Sequence, residues 1–197
     1  MSSPGNPRLI LASTSPYRRL LLEKLGLAFD CVSPGIDETR QLDEPPEVLV
    51  TRLATEKSKA IAIQYPHQWV IGCDQVAVLE DQVIGKPGSM EKARAQLVQA
   101  SGRTLEFLTG ICVTRFESGH SCTEVDRCRV SFRSLTLHRI ERYLAREQPL
   151  DCAGSFKSEG LGISLLERIE GDDPNALIGL PLIRLVGILT AFGIEIP

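Results

Sequence analysis

Residues 9–19, LILASTSPYRR, set three hydroxyl side chains, Ser13, Thr14 and Ser15, between a short apolar run and a proline. A strand that passes through such a loop into a helix offers backbone and side-chain donors to an anion. Arg18 falls in the first helical turn, where its planar fork can add a bidentate charge. By itself the string also fits an ordinary capped helix, with Ser15 as cap and Pro16 as first helical residue. Lys57 is the second position with chemical potential. It lies on the stripe formed by Leu49, Leu53 and Ile61, so an ammonium stands where core residues are expected and needs an anionic partner or a route to solvent.

Asp74 directly follows the apolar run 69–73. That run predicts a strand ending at Asp74, a place where α/β enzymes gather active groups outside the carboxyl end of the sheet. A carboxylate there could hold a metal or activate water. Asp37 and Glu38 in SPGIDET add carboxylates from another part of the chain, and such hard oxygen ligands suit Mg²⁺ or Mn²⁺. Lys86, between Gly85 and Pro87, supplies a further cation on a turn. The sequence lacks GxxxxGK[ST] and GxSxG, and His67, His120 and His138 show no pairing that suggests a nucleophilic triad.

The elements that must position these groups can be read from periodicity. A strand at 9–11 and a helix running to Gly26 open the chain, and a helix from Pro45 or Pro46 to about Gln64 carries Lys57. Residues 76–79 and 82–84 form a hairpin, Ser89 caps a helix through Ala100, and 104–132 is β-rich around a Glu-Ser-Gly-His turn, a candidate smaller antiparallel lobe. Thr136 caps a helix to about Arg146, and Asp173 and Pro174 begin a last helical region interrupted at 179–181. Alternating helices and strands make the fold class α/β.

With 197 residues and 43% hydrophobic content, the chain can bury one substantial core or two lobes sharing a sheet. Residues 1–7 are expected to be a flexible tail, followed by a single domain at 8–197. A net charge of −3 argues against a general footprint for a DNA or RNA duplex or an anionic membrane, so phosphate chemistry must be local. The six cysteines are scattered, without CxxC or zinc-ligand spacing, and are expected as reduced thiols in the cytoplasm. No stretch reaches membrane-spanning length, and the first residues do not resemble a signal peptide.

Taken in order, LILASTSPYRRLLLEKLGL, SPGIDET, LATEKSKA, VIGCDQVAVLEDQVIGKP and CAGSFKSEGLG closely resemble the Maf-like nucleotide pyrophosphatases, from about residue 8 to 190, and within them the branch acting on 7-methyl-GTP. The resemblance implies an elongated mixed sheet flanked by helices, with a smaller β-rich lobe and a cleft between lobes. It further implies metal-dependent cleavage of a nucleoside triphosphate to the monophosphate and diphosphate. Asp74 matches the proton acceptor; Ser13, Arg18, Lys57 and Lys86 match phosphate-contacting positions; Glu38 with Asp74 matches a site for Mg²⁺ or Mn²⁺. A homodimer, and a link to septum formation through nucleotide sensing rather than hydrolysis, are also implied.

Substrate choice is expected from Tyr17, Gln75 and Glu159, where the otherwise similar pyrimidine-specific branch has arginine, threonine and glutamine. A 7-methylguanine ring is positively charged, so stacking on Tyr17 would add a cation–π contribution of roughly 0.5–2 kcal/mol. Glu159 could accept from its N1 and N2 donors. Against a pyrimidine that carboxylate is left partly unpaired, at about 1–3 kcal/mol. Plain GTP shares the same hydrogen-bonding edge and is the closer competitor.

Overall fold

Short strands β1 (Leu9–Leu11) and β2 (Phe29–Cys31) flank helix α1 (Pro16–Glu23), which Ser15 caps by accepting from the Arg18 amide. The computed structural model describes residues 9–196; the expected tail at 1–7 lies outside them. Helix α2 (Pro46–Ala62) leads to the long strand β3 (Trp69–Leu79), which turns back as β4 (Gln82–Ile84). Then follow α3 (Met90–Ala100), the hairpin β5 (Thr104–Arg115) and β6 (His120–Phe132), α4 (Leu137–Glu147), β7 (Leu166–Gly171) and α5 (Leu182–Ala191).

Among the described residues the sheet has seven strands, in the order β2-β1-β3-β5-β6-β7 with β4 paired to the far end of β3. β2, β1 and β3 run parallel, and the remaining pairings are antiparallel. The 104–132 hairpin is therefore continuous with the main sheet, and the smaller lobe is its far end together with α3 and α4. β3 and β5 pass through both lobes.

Alternation along these strands builds the interior. On one face of β3, Ile71 and Cys73 join a core with Leu9, Leu11, Leu22 and Leu185. Farther along the same face, Ala77 and Leu79 join a second core with Leu97, Phe107, Ile140 and Leu144. Between the two cores this face carries polar Gln75, directly opposite Thr109 of β5. The cleft opens where the apolar alternation is interrupted.

The other face is covered by α2. Its stripe of Leu49, Leu53, Lys57 and Ile61 is buried as expected, together with a second ridge of Val50, Ala54, Ser58 and Ala62. The small residues let the helix approach closely. A Cβ on Gly72 would stand 2.1 Å from the Ala54 carbonyl oxygen, and one on Gly110 would stand 2.3 Å from that of Val50. Ser58 Oγ also donates to the Val70 carbonyl at 2.9 Å.

Residues 69–73 are a strand as expected, but β3 does not end at Asp74. It continues to Leu79 because β5 pairs with it from Val70 to Val78. The neighbour that ends is β1, whose last residue pairs with Ile71.

Because α2 rests on bare backbone, Gly72→Ala is expected to destabilise the protein by about 1–3 kcal/mol or more, lowering Tm by several degrees. Thermal unfolding followed by circular dichroism tests this, and an unchanged Tm would show that α2 tolerates displacement.

Candidate active site

On the side of β3 opposite β5, β1 pairs no farther than Ile71 and β4 begins at Ala77. Among the described residues, no strand covers the edge of β3 between them. The chain leaving β1 supplies Ser13 and, through the start of α1, Arg18; the chain leaving β4 supplies Lys86. Both converge on this gap, and side chains from opposite faces of β3, Asp74 and Gln75, meet around its edge. The resulting charged cavity, of about 410 Å³, is lined by Ser13, Arg18, Glu38, Lys57, Asp74 and Lys86 among others.

Lys57 is 4% exposed and Asp74 6%. The lysine reaches the anionic partners that its buried position requires: its Nζ lies 2.7 Å from Asp74 Oδ1 and 2.9 Å from Glu38 Oε2. Burial pushes the Asp74 carboxyl above its ordinary value, against the lowering influence of Lys57 and Arg18, while nearby Glu38 raises it further. The pocket therefore holds a carboxylate whose affinity for a proton is increased without losing contact with a cation.

Glu38 is positioned through the 37–44 loop. Arg52 of α2 donates to both carboxylate oxygens of Glu44, at 2.6 and 2.9 Å, and to the Thr39 carbonyl at 3.2 Å. The Arg52 contact holds Glu44 down at about 2, so this clamp keeps its charge well into acid. Asp37, the other carboxylate of the motif, accepts from the Thr39 amide at 2.9 Å and organises the loop; it is not among the residues lining the cavity.

A second cavity of about 270 Å³ shares Thr14, Ser15, Arg18, Gln75 and Lys86 with the first. It brings together Tyr17, Gln75 and Glu159, from α1, β3 and the loop after α4, over an aromatic floor of Phe107 and Phe156. Gln75 is fixed by its amide nitrogen, which donates to Thr109 Oγ1 at 2.9 Å and to the Ala176 carbonyl at 2.7 Å. Arg18 is fixed by Nε, which donates to the Gly179 carbonyl at 2.9 Å. Its Nη groups have no protein acceptor among the described residues.

The chain matches the Maf-like protein family over residues 8–192. It belongs to the Maf family. Curated relatives named 7-methyl-GTP pyrophosphatase include one from Alcanivorax borkumensis, 54% identical and covering 97% of each chain. Another, from Nitrosococcus oceani, is 52% identical and covers 98% of this chain and 97% of its own. A third, from Colwellia psychrerythraea, is 51% identical over 95% of this chain and 94% of its own. Among solved structures, the Ham1 protein of Staphylococcus aureus aligns with a TM-score of 0.51 at 11% identity, covering 93% of this chain and 98% of that one; the likeness is one of fold.

In this Maf protein Glu38 and Asp74 are the carboxylates that could hold a small divalent cation. Glu38 Oε2 and Asp74 Oδ1 converge on the Lys57 ammonium, so a cation they held would lie beside that nitrogen and not at the point it occupies. No cluster of three or more His, Cys, Asp or Glu side chains suited to a metal occurs among the described residues. Two carboxylates completed by water and substrate phosphates form a set that Mg²⁺ commonly uses.

Several cavity residues went unmarked in the sequence. Asp151 and Cys152 line the second cavity, and burial followed by the charge of Asp151 pushes the Cys152 thiol up to about 12. Lys157 places its Nζ 5.9 Å from the centroid of the Tyr17 ring, so Tyr17 already has a cationic partner within the protein. The motif CAGSFKSEGLG contained Cys152 and Lys157, but nothing local in it told which side chains reach the cavity.

Removing the Lys57 cation leaves Asp74 buried with Glu38 as a like-charged neighbour. Lys57→Met is expected to destabilise by about 3 kcal/mol near neutral pH. A carboxyl with a raised folded-state pKa is penalised above that pKa and relieved as pH falls through it, so the loss should shrink in mild acid. Urea unfolding at the two pH values checks the sign, and an equal loss at both would remove Asp74 as its cause.

Proposed function

We propose that this chain is a nucleotide pyrophosphatase that hydrolyses 7-methyl-GTP to 7-methyl-GMP and diphosphate, using Mg²⁺ or Mn²⁺. The observation that carries the reading is Asp74: a buried carboxylate with a raised pKa, held by Lys57 at the edge of a cavity into which Arg18 and Lys86 also converge. The names of three near-full-length relatives supply the substrate. The free thiols of all six cysteines accord with action in the cytoplasm.

In this mechanism Asp74 accepts a proton from the attacking water as its oxygen bonds to the α-phosphorus. The bond from that phosphorus to the bridging oxygen breaks, and the electron pair leaves with diphosphate. Arg18 and Lys86, with Lys57 behind them, neutralise charge on the leaving group, and hydroxyls of Ser13 and its neighbours orient the chain of phosphates. Glu38 and Asp74 would hold the divalent ion, which when bound would supply further neutralisation of charge on the phosphate oxygens. Lys57 orients Asp74 through the 2.7 Å contact.

The two joined cavities suit the two ends of the substrate. The charged cavity takes the phosphates, and the cavity of Tyr17, Gln75, Glu159 and Asp151 takes the base. The carboxylate of Glu159 accepts from the N1 and N2 donors of guanine, and the acidic pair opposes the positive charge of its methylated ring. Tyr17 offers the ring an aromatic surface alongside Lys157.

Asp74→Asn is expected to lower kcat by about 10²–10⁴-fold while calorimetry still detects nucleotide binding; full activity in this variant would remove Asp74 as the base. In the metal-free wild type, the Asp74 carboxyl should titrate above the ordinary aspartate value of about 3.9, as read by NMR of its carboxyl carbon. Diphosphate release should be more efficient from 7-methyl-GTP than from dTTP or UTP, and Glu159→Gln should narrow that ratio by roughly 5–150-fold, equivalent to about 1–3 kcal/mol. A wild-type preference for pyrimidines would overturn the substrate assignment.

A further inference from the structure

Away from the cleft, α4 borders a groove of about 340 Å³ lined by His138, Arg139, Arg142, Tyr143, Arg146 and Leu161, together with residues 164–165. Arg139, Arg142 and Arg146 follow one another at spacings of three and four, a like-charge ridge that weakens a helix unless countered. The carboxylates of α4 do not counter it. Glu141 is bound by both Nε and Nη2 of Arg94 on α3, and Glu147 accepts from the Leu161 amide at 2.6 Å. Arg139 is tethered to the Ser164 carbonyl, while His138, Arg142 and Arg146 have no hydrogen-bond or ion-pair partner among the described residues.

We propose that this groove is a second binding site, specific for a small phosphate-bearing anion of the nucleotide or oligophosphate class. Guanidinium forks match phosphate oxygens in bidentate geometry, and two unengaged forks one helical turn apart suit an anion carrying more than one negative charge. Tyr143 and Leu161 give the site an apolar wall. This feature is independent of Asp74 and of the hydrolytic reading.

The site is mechanically tied to the base cavity. Tyr143 Oη accepts from the Lys157 amide at 3.0 Å, and Glu147 fastens the Leu161 amide. These two α4 side chains hold both ends of the segment that carries Glu159. Tyr143 and Leu161 also line the groove, so an anion bound there bears on the segment presenting Glu159.

Amide NMR titration of the full chain without divalent metal tests the proposal and reads binding in the absence of turnover. Inorganic triphosphate and, separately, GMP serve as probes. Expected are saturable shifts at 138–146, weakened by added salt, with a midpoint different from those at 13–18. The combined Arg142→Glu and Arg146→Glu substitutions should abolish the first set and leave the second, whose persistence also reports an intact fold. Tighter binding of GMP with added shifts at Tyr143 and Leu161 identifies a nucleotide source; tighter binding of triphosphate identifies an oligophosphate. Absence of saturable shifts on α4 with both probes, or their survival in the charge-reversed variant, overturns the site.

Discussion

The cleft depends on one ion group, the Lys57 ammonium held between Asp74 and Glu38. Taking an ammonium and a carboxylate out of water is costly, and apolar residues of similar volume commonly stabilise a protein as well or better. Here the cost is met by placing the nitrogen within 2.9 Å of both carboxylates. That contact in turn demands two structural conditions: α2 must lie close enough to β3 for Lys57 to reach across, and the 37–44 loop must return Glu38 to the same point. Gly72 and Gly110 meet the first, and the Arg52–Glu44 clamp meets the second.

The sheet adds a constraint of its own. Adjacent side chains on a strand point to opposite faces, so Asp74 and Gln75 could not share a cavity within a fully paired strand interior. They do so because neither β1 nor β4 pairs with β3 between Ile71 and Ala77. Short β1 is therefore as consequential as long β3: its early end frees the edge and turns residues 12–18 toward the gap. Asp74 is thus mid-strand with respect to β5 and just beyond the carboxyl end of the parallel part of the sheet.

Much of this architecture was legible locally. Ser15–Pro16, Ser89 and Thr136 cap helices where hydroxyl residues precede apolar periodicity, and Leu49, Leu53 and Ile61 marked the line on which Lys57 is buried. The end of a strand was less legible, because an apolar run read alone does not contain its partner; β5 carries β3 past Asp74. The same limit applies to the site. Lys57 signalled that it needed an anion, but its identity depended on two distant segments, and Asp151 reaches the cavity and Lys157 the Tyr17 ring only through the folding of a turn-rich loop with little periodicity to read.

On the proposed reading, charge is distributed along the joined cavities in a way that matches a substrate with opposite charges at its ends. Arg18, Lys57 and Lys86 lie where the triphosphate would extend, whereas Asp151 and Glu159 border the space for the ring. Hydrogen bonding to Glu159 separates a guanine edge from a pyrimidine, but it cannot by itself separate 7-methyl-GTP from GTP, since both carry the same N1 and N2 donors. The remaining distinction is the positive ring. Lys157, beside Tyr17, disfavours that ring, while Asp151 and Glu159 favour it. On that reading, selectivity for the methylated nucleotide rests on the acidic pair outweighing Lys157 together with Arg18 and Lys86 at the shared end of the cavity, and Asp151, which the guanine edge does not require, becomes the residue through which charge rather than shape decides.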